Sequence, residues 1–382
     1  MNIVVVIPTY NEAENVARLI PVLEEEFAQH SNHTFNVLFV DGNSSDKTSE
    51  IIKAAETTNP NVFLLQEEKK SGLGSAYIKA FKYALQKFQP DVLVEMDADL
   101  QHDPKDVVRL VNEIENGSDY VIGSRFTKGG SIPQNWALYR KFLSVGGNIF
   151  TRVVLNIYNI HDFTSGFKAS RVKGFVDQIN LDQVLSGGFA YKIDLLFRMR
   201  KLGAKFKEVP IVFGLRDRGD SKMEKNNVLD SLKVVLLIRF RESQSFLKFL
   251  VVGFTGLFVD AATFNISRTV LANSTTASMF SGTLGILTTF ILNNYWSFNH
   301  KKIHGFSKKL TSFIKYFVTS LIPILVRTKL ISWAVFKLGD TFIISNAAFF
   351  IGIVFGLVWN YTIYSKIIWR SGSPQNPAAK KL

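Results

Sequence analysis

Apolar residues along this chain recur at first in the short runs and stripes of strands and helices, and later in stretches too long for either. Residues 3–7 form an unbroken β-branched run, and residues 35–40, 62–65 and 92–96 are further short apolar runs. Between them, residues 12–27, 46–57 and 74–88 carry apolar positions at helical spacing. Strands joined by helical crossovers imply a mainly parallel sheet buried on both faces, so the first part of the chain is expected to be an α/β domain. Beyond Gln101 the pattern loosens. Residues 105–116, 131–159, 189–202 and 226–240 read as helices, and residues 120–123 and 206–213 as strands.

Four later stretches, residues 246–269, 278–298, 313–338 and 342–369, are apolar and long enough to cross a bilayer, which takes about 20 residues. They predict an all-α unit of four transmembrane helices at 246–370, with an amphipathic linker at 225–245, a tail at 371–382 and the α/β domain at 1–224. Residues 243–382 hold 14 of the 45 lysines and arginines but only Asp260 and Asp340 of the 32 acids, so most of the net charge of +13 lies there. Basic charge on the most apolar part of a chain points to a membrane and away from nucleic acid. Lys301, Lys302, Lys308 and Lys309 lie between the second and third stretches, whereas the other two connections hold one acid between them. The positive-inside rule then puts this loop, both termini and the α/β domain on the cytoplasmic side of a cell membrane, with several passes. The opening MNIVVVIPTYNE lacks the shape of a signal peptide, and without cysteine there is no disulfide, thiolate nucleophile or Cys-ligated metal.

Three details qualify this organisation. Residues 131–159 mix Trp136, Tyr139, Phe142 and Phe150 with Arg140, which suits either a membrane interface or the packed face of a long helix. Asn293 to Phe298 near the end of the second stretch echoes Trp359 to Thr362 near the end of the fourth, as two related hairpins would. Asp260, Arg327 and Lys329 fall within the apolar stretches, where an Asp260–Arg327 ion pair or snorkelling charges are expected sooner than a transport path.

Chemistry concentrates where the first strands end. Open parallel sheets bind ligands beyond the carboxyl ends of their strands, and PTYNE, DGNSSD and DADLQ follow three of them. Two unpaired carboxylates two residues apart, Asp97 and Asp99, are prohibitive inside a sheet. They either face a divalent cation at the strand end, with the Gln101 oxygen as a further ligand, or simply close the strand. Asp103 before Pro104 is expected to cap the next helix. Tyr10 can stack on a base, and Glu12 and Asp41 can accept hydrogen bonds from base or ribose, although each also has a turn or capping explanation.

Together IPTYNE, DGNSSD, KKSGLGSAYIKAF and MDADLQHDP resemble family 2 glycosyltransferases of the GT-A fold. GSRFTKGG, NWALYRKFLSVGGN, DFTSGFKA and LRDRGDSKM are more narrowly similar to dolichyl-phosphate mannose synthases and related polyprenyl-phosphate hexose synthases, and the four apolar stretches resemble a GtrA-like membrane domain. The single acid Asp41, followed by Gly42, departs from the acidic pair of many relatives. The resemblance implies that Pro8, Tyr10, Glu12, Asp41 and Asp97 bind the donor nucleotide, while Asp97, Asp99 and Gln101 hold Mg2+ or Mn2+ at its diphosphate. It also implies that Arg125, Arg140, Ser144, Arg218 and Lys222 receive the acceptor phosphate, with Arg125 and Arg218 joining the two aspartates in catalysis. The expected reaction moves mannose from GDP-mannose to dolichyl phosphate with inversion. A lipid phosphate is already anionic, so it needs cations to seat it and no general base. UDP-glucose with a polyprenyl phosphate, translocation of the lipid-linked sugar by the membrane unit, and a metal phosphohydrolase are the competing readings.

Overall fold

The computed structural model describes residues 1–214, 225–271, 274–339 and 341–369. The chain divides into two compact units, Met1–Arg239 and Phe240–Leu382.

The first unit alternates strand and helix: β1 (Asn2–Thr9), α1 (Ala13–Ala28), β2 (Thr34–Asp41), α2 (Thr48–Thr58), β3 (Val62–Gln66), α3 (Leu73–Lys87) and β4 (Val92–Glu95). It continues with α4 (Lys105–Glu115), β5 (Tyr120–Ser124), α5 (Leu138–Leu155), β6 (Lys168–Arg171), α6 (Tyr191–Lys201) and β7 (Phe206–Pro210). These strands form one sheet in the order β3-β2-β1-β4-β6-β5-β7. Only β6 runs antiparallel to its neighbours. The β-branched run of β1 follows from its central place. Val4 and Val6 enter one core with Leu38, Leu93 and Tyr77, whereas Ile3, Val5 and Ile7 enter the other with Phe39, Val94 and Leu19. A strand buried on both faces has no polar side to show.

β1, β2 and β3 succeed one another in one direction, and β4 returns to the far side of β1. That reversal opens a crevice beyond the carboxyl ends of β1 and β4, the place where PTYNE and DADLQ begin. Several expectations change. β6 is a four-residue strand, KASR, that carried no apolar signal. The helix expected over residues 131–159 is confined to Leu138–Leu155. The last strand stops at Pro210, leaving a single bridge between Ser131 and Val212. Leu138, Phe142, Val145, Ile149 and Val153 form an exposed apolar stripe along α5, so this face is not core packing.

The amphipathic linker and first apolar stretch are one continuous helix, α7 (Lys225–Leu271), followed by α8 (Ser274–Leu292), α9 (Phe306–Leu338) and α10 (Phe342–Ile363). Among the described residues three helical stretches, Asn227–Ser267, Phe306–Leu338 and Phe342–Ile368, are long and apolar enough to cross a membrane. The remaining stretch, expected over residues 278–298, is helical in α8, which has 19 residues.

The second unit is built twice. Phe246-Leu247-Lys248-Phe249-Leu250-Val251 in α7 returns in α9 as Phe313-Ile314-Lys315-Tyr316-Phe317-Val318. α8 ends in the π-helical turn Asn293–Ser297 before Phe298, and α10 in Tyr364–Ile368 before Trp369. The contacts repeat with the sequence. Phe290 packs on Phe313 and Tyr316 at 5.4 Å each, and Tyr361 packs on Phe246 at 4.9 Å and Phe249 at 5.6 Å. Phe298 and Trp369, at equivalent positions, stack on each other at 4.8 Å. Gly285 lies against Gly256 and Asp260, and Gly356 against Pro323. The echo seen in the sequence is therefore real, but its register differs, since Tyr361 matches Phe290 and not Tyr295. The expected Asp260–Arg327 ion pair is absent among the described residues. The Ser281 hydroxyl donates to Asp260 at 2.6 Å, while Arg327 packs its stem on Gly352 and its guanidinium over Phe349.

Candidate active site

Past the crevice the first unit holds a cavity of about 850 Å³, lined by Pro8, Tyr10, Glu12, Asp97, Asp99, Gln101, Arg125, Arg140 and Ser144 among others. Nine of the twelve site residues named from the sequence thus meet in one place. Arg218 and Lys222 lie outside the described residues, and Asp41 is buried behind the wall.

The loop after β4 turns sharply because Leu100 takes a φ of +58°, a left-handed conformation uncommon for leucine. This turn brings Asp97, Asp99 and Gln101 to the cavity wall. The Gln101 N–H donates to Asp99 at 3.2 Å, and Gln101 Nε2 donates to the Gly214 carbonyl at 2.8 Å. That bond fixes the amide and leaves Oε1 as its unbonded end among the described residues. Asp103 accepts from the Lys105 N–H at 3.0 Å at the start of α4, the capping work expected of it. The loop rests on aromatic supports. Tyr77 donates its hydroxyl to the Met96 carbonyl at 3.2 Å, and Tyr191, stacked on Tyr77, donates to Glu95 at 2.5 Å.

Among the described residues no three His, Cys, Asp or Glu side chains cluster closely enough to hold a metal alone. Two cavity carboxylates and an amide oxygen suit a hard cation whose shell is completed by substrate phosphates, which is how Mg2+ is commonly held.

Around the loop after β1, Lys70 stands 4.2 Å over the Tyr10 ring, and Glu12 accepts from Asn15 at 2.5 Å. Asp41 is set apart from the other donor-side residues. Fully buried, its carboxylate accepts from the Thr9, Ser44 and Ser49 hydroxyls and the Ser44 N–H, at 2.6 to 2.9 Å. It ties β1 to the DGNSSD turn and lies behind the cavity wall.

The basic residues divide as well. Arg125 donates Nε and one terminal nitrogen to Asp162, both at 2.8 Å, and also reaches the Thr164 hydroxyl at 2.8 Å. Burial works against both charges, yet their attraction prevails, raising the pKa of Arg125 and lowering that of Asp162. Arg140 and Ser144 lie one turn apart on α5, with the Arg140 guanidinium 3.9 Å over Trp136. Asn148, a turn further, accepts from the Phe163 N–H at 2.7 Å and so pins this helix to the DFTSGF segment.

Sequence reasoning missed three groups of this cavity. Glu67 accepts from Ser71 and Lys79 at 2.6 Å each. His102, stacked on Phe167, is held down to about 4 by burial and accepts from the Asp97 N–H. Lys192, at the start of α6, is 1 % exposed. An apolar helix pattern read over residues 189–202 gave no reason to single out its lysine. Gly72 and Gly74 also have a specific task, since side chains there would strike the Gly187 and Gly188 carbonyls at 2.7 and 2.6 Å.

A mainly parallel sheet with a carboxylate loop at its point of reversal is the GT-A architecture. Residues 4–177 match Glycosyl transferase family 2, and residues 248–369 match the GtrA/DPMS transmembrane domain. The chain belongs to family 2 of the glycosyltransferases, within the dolichyl-phosphate mannose synthase and polyprenyl-phosphate hexose synthase group that carries a GtrA-like membrane domain. It is 32 % identical over 376 residues to the dolichol-phosphate mannosyltransferase of Pyrococcus furiosus, covering 97 % of this chain and 99 % of that one. The undecaprenyl-phosphate mannosyltransferase of Micrococcus luteus is 37 % identical, over 58 % of this chain and 88 % of its own. The polyprenol monophosphomannose synthase of Mycolicibacterium smegmatis is 36 % identical, over 60 % and 83 %.

Proposed function

We propose that this enzyme transfers mannose from GDP-mannose to dolichyl phosphate, with inversion and with a divalent metal, at the cytoplasmic face of the membrane. One observation carries the reading: a single cavity is lined by acids from the loops after β1, β3 and β4 and, apart from Lys70 in the loop after β3, by cations from the loop after β5 and from α5 and α6. Such a division suits a donor diphosphate held through a metal and an acceptor that is itself an anion. The names of the three relatives, all mannosyltransferases or synthases acting with a polyprenol-type phosphate, support the sugar and the lipid.

Asp97, Asp99 and Gln101 would hold Mg2+ or Mn2+, which when bound neutralises charge on the nucleoside diphosphate as the sugar leaves. Tyr10 stacks on the base, between Pro8 and Glu12. Arg140 and Ser144 seat the acceptor phosphate, and Arg125, committed to Asp162, adds positive potential and holds Thr164 beside them. Arg218 and Lys222 are assigned to phosphate charge by sequence resemblance. The acceptor oxygen is already deprotonated near neutral pH, so an in-line attack at C1 proceeds without a general base. The exposed apolar stripe of α5 fits the surface of the bilayer in which the acceptor lies.

The deciding assay gives purified full-length protein GDP-mannose, UDP-glucose and related donors with dolichyl phosphate. Mannosyl lipid formed from GDP-mannose alone is expected, and exclusive use of UDP-glucose would overturn the reading. Asp99→Ala is expected to lower metal-dependent transfer by about 10³-fold, the order seen when a key electrostatic group is lost. Near-normal turnover by the folded variant would remove Asp99 from the metal site.

A further inference from the structure

Lys192 is the least expected charge in the molecule. It is the second residue of α6, almost wholly buried, and lines the same cavity as Asp97 and Asp99. Among the described residues its ammonium donates no hydrogen bond and joins no ion pair, and it stands 4.4 Å from the centre of the Phe189 ring. A buried ammonium without oxygen partners is costly unless something entering the cavity supplies them.

What should enter is narrowed by two neighbours. Gly166 separates Lys192 from Asp97: a Cβ placed on it would lie 2.6 Å from Asp97 Oδ2 and 2.9 Å from Lys192 Nζ. The glycine keeps a gap open between a carboxylate and an ammonium that are not joined to each other. The start of α6 borders the same space, with Gly188, Phe189 and Ile193 in the wall and no side chain capping it at Ala190. An uncapped helix start attracts anions, and the buried lysine adds a full charge to it.

We propose that Lys192 and the start of α6 bind a phosphate oxygen of the substrates, a contact beyond those assigned above to Arg125, Arg140 and the carboxylate pair. The ligand chemistry is that of a phosphate ester. It belongs either to the diphosphate of the donor, completing the cradle whose other side is Asp97, or to the monophosphate of the acceptor. This proposal rests on the donor and acceptor reading above. A buried ammonium facing the cavity favours an anion, which can supply the oxygens it lacks, over a neutral sugar hydroxyl.

The test uses full-length Lys192→Met and Lys192→Arg in detergent. Binding of GDP and of UDP is measured by calorimetry with Mn2+, and transfer kinetics are measured with dolichyl phosphate varied. A charge-assisted hydrogen bond of ordinary strength corresponds to a loss of about tenfold or more. If the donor is held, Lys192→Met weakens the nucleoside diphosphate that the wild type prefers by that factor and leaves the KM for lipid unchanged. If the acceptor is held, nucleotide binding stays intact and the KM for dolichyl phosphate rises instead. In either case Lys192→Arg recovers most of the loss. Binding and KM within about twofold of wild type would overturn the proposal. So would equal losses in both variants that track a lowered unfolding midpoint, which would mark a packing role. A wild type that binds UDP and not GDP would refute the GDP-mannose reading, and the Lys192 comparison would then be read with UDP.

Discussion

The two units bury polar groups by opposite rules. In the catalytic unit, ionisable groups are buried opposite one another: Arg125 pairs with Asp162, and Glu95 faces Lys168 across the β4–β6 register. In the membrane unit the buried polar groups among the described residues are amides, hydroxyls, phenols and an indole. Asn293 donates to Tyr316, Tyr316 to Thr289, and the Trp369 indole to Asn294. Asp260 and Arg327, opposite charges within its apolar helices, pack on different partners. Strands and short loops fix both members of a pair before either is desolvated, so a sheet can hold charge where a reaction needs it. Apolar helices gain more from neutral donors, whose burial costs less when geometry is imperfect.

The sharpest way to break this contrast is to orphan a charge in the catalytic unit. Asp162→Ala leaves Arg125 buried without its carboxylate and is expected to cost about 3–5 kcal/mol, read by urea unfolding of the full-length protein. A cost below about 1 kcal/mol would show that water replaces the partner. A smaller effect comes from His102, whose pKa is held at about 4 against an ordinary 6.5 by burial. The unfolded chain takes up this proton first as pH falls, so the contribution is complete above pH 6.5 and lost on the way to 4. The total is about 3 kcal/mol, and comparing unfolding of the wild type and His102→Gln across that window isolates it. The smallest effect is expected in the membrane unit. Asp260→Asn keeps an oxygen for Ser281 and should cost less than about 1 kcal/mol in thermal unfolding. A loss several times larger would restore the ion pair with Arg327.

The sequence disclosed most where burial is complete. β1 to β5 and the helices between them were legible because strands covered on both faces cannot vary their pattern. β6 was not, since Lys168 and Ser170 owe their place to pairing with β4 and β5 and to nothing local. The site was legible at its loops. PTYNE and DADLQ could be placed because they follow strands whose carboxyl ends meet at one crevice, and residues of both line the cavity, whereas Asp41, the last residue of β2, lies behind its wall. Lys192 stayed hidden because a lysine early in a helix looks solvated until its neighbours are known. The membrane repeat was visible only as a misplaced echo. Its clearer half, FLKFLV and FIKYFV, lies in two long helices where apolar similarity is easily taken for composition.

That repeat also bears on how the membrane unit can change over evolutionary time. Each class of contact exists in two copies, so one copy can drift while its twin keeps the bundle together. The copies already differ in their rings: Phe249 is a plain hydrocarbon, and its counterpart Tyr316 carries a hydroxyl bound to Asn293 and Thr289. The hydroxyl of the second copy thus closes a polar seam with an amide and a hydroxyl of the first, so the two copies are held together by the very position at which they differ.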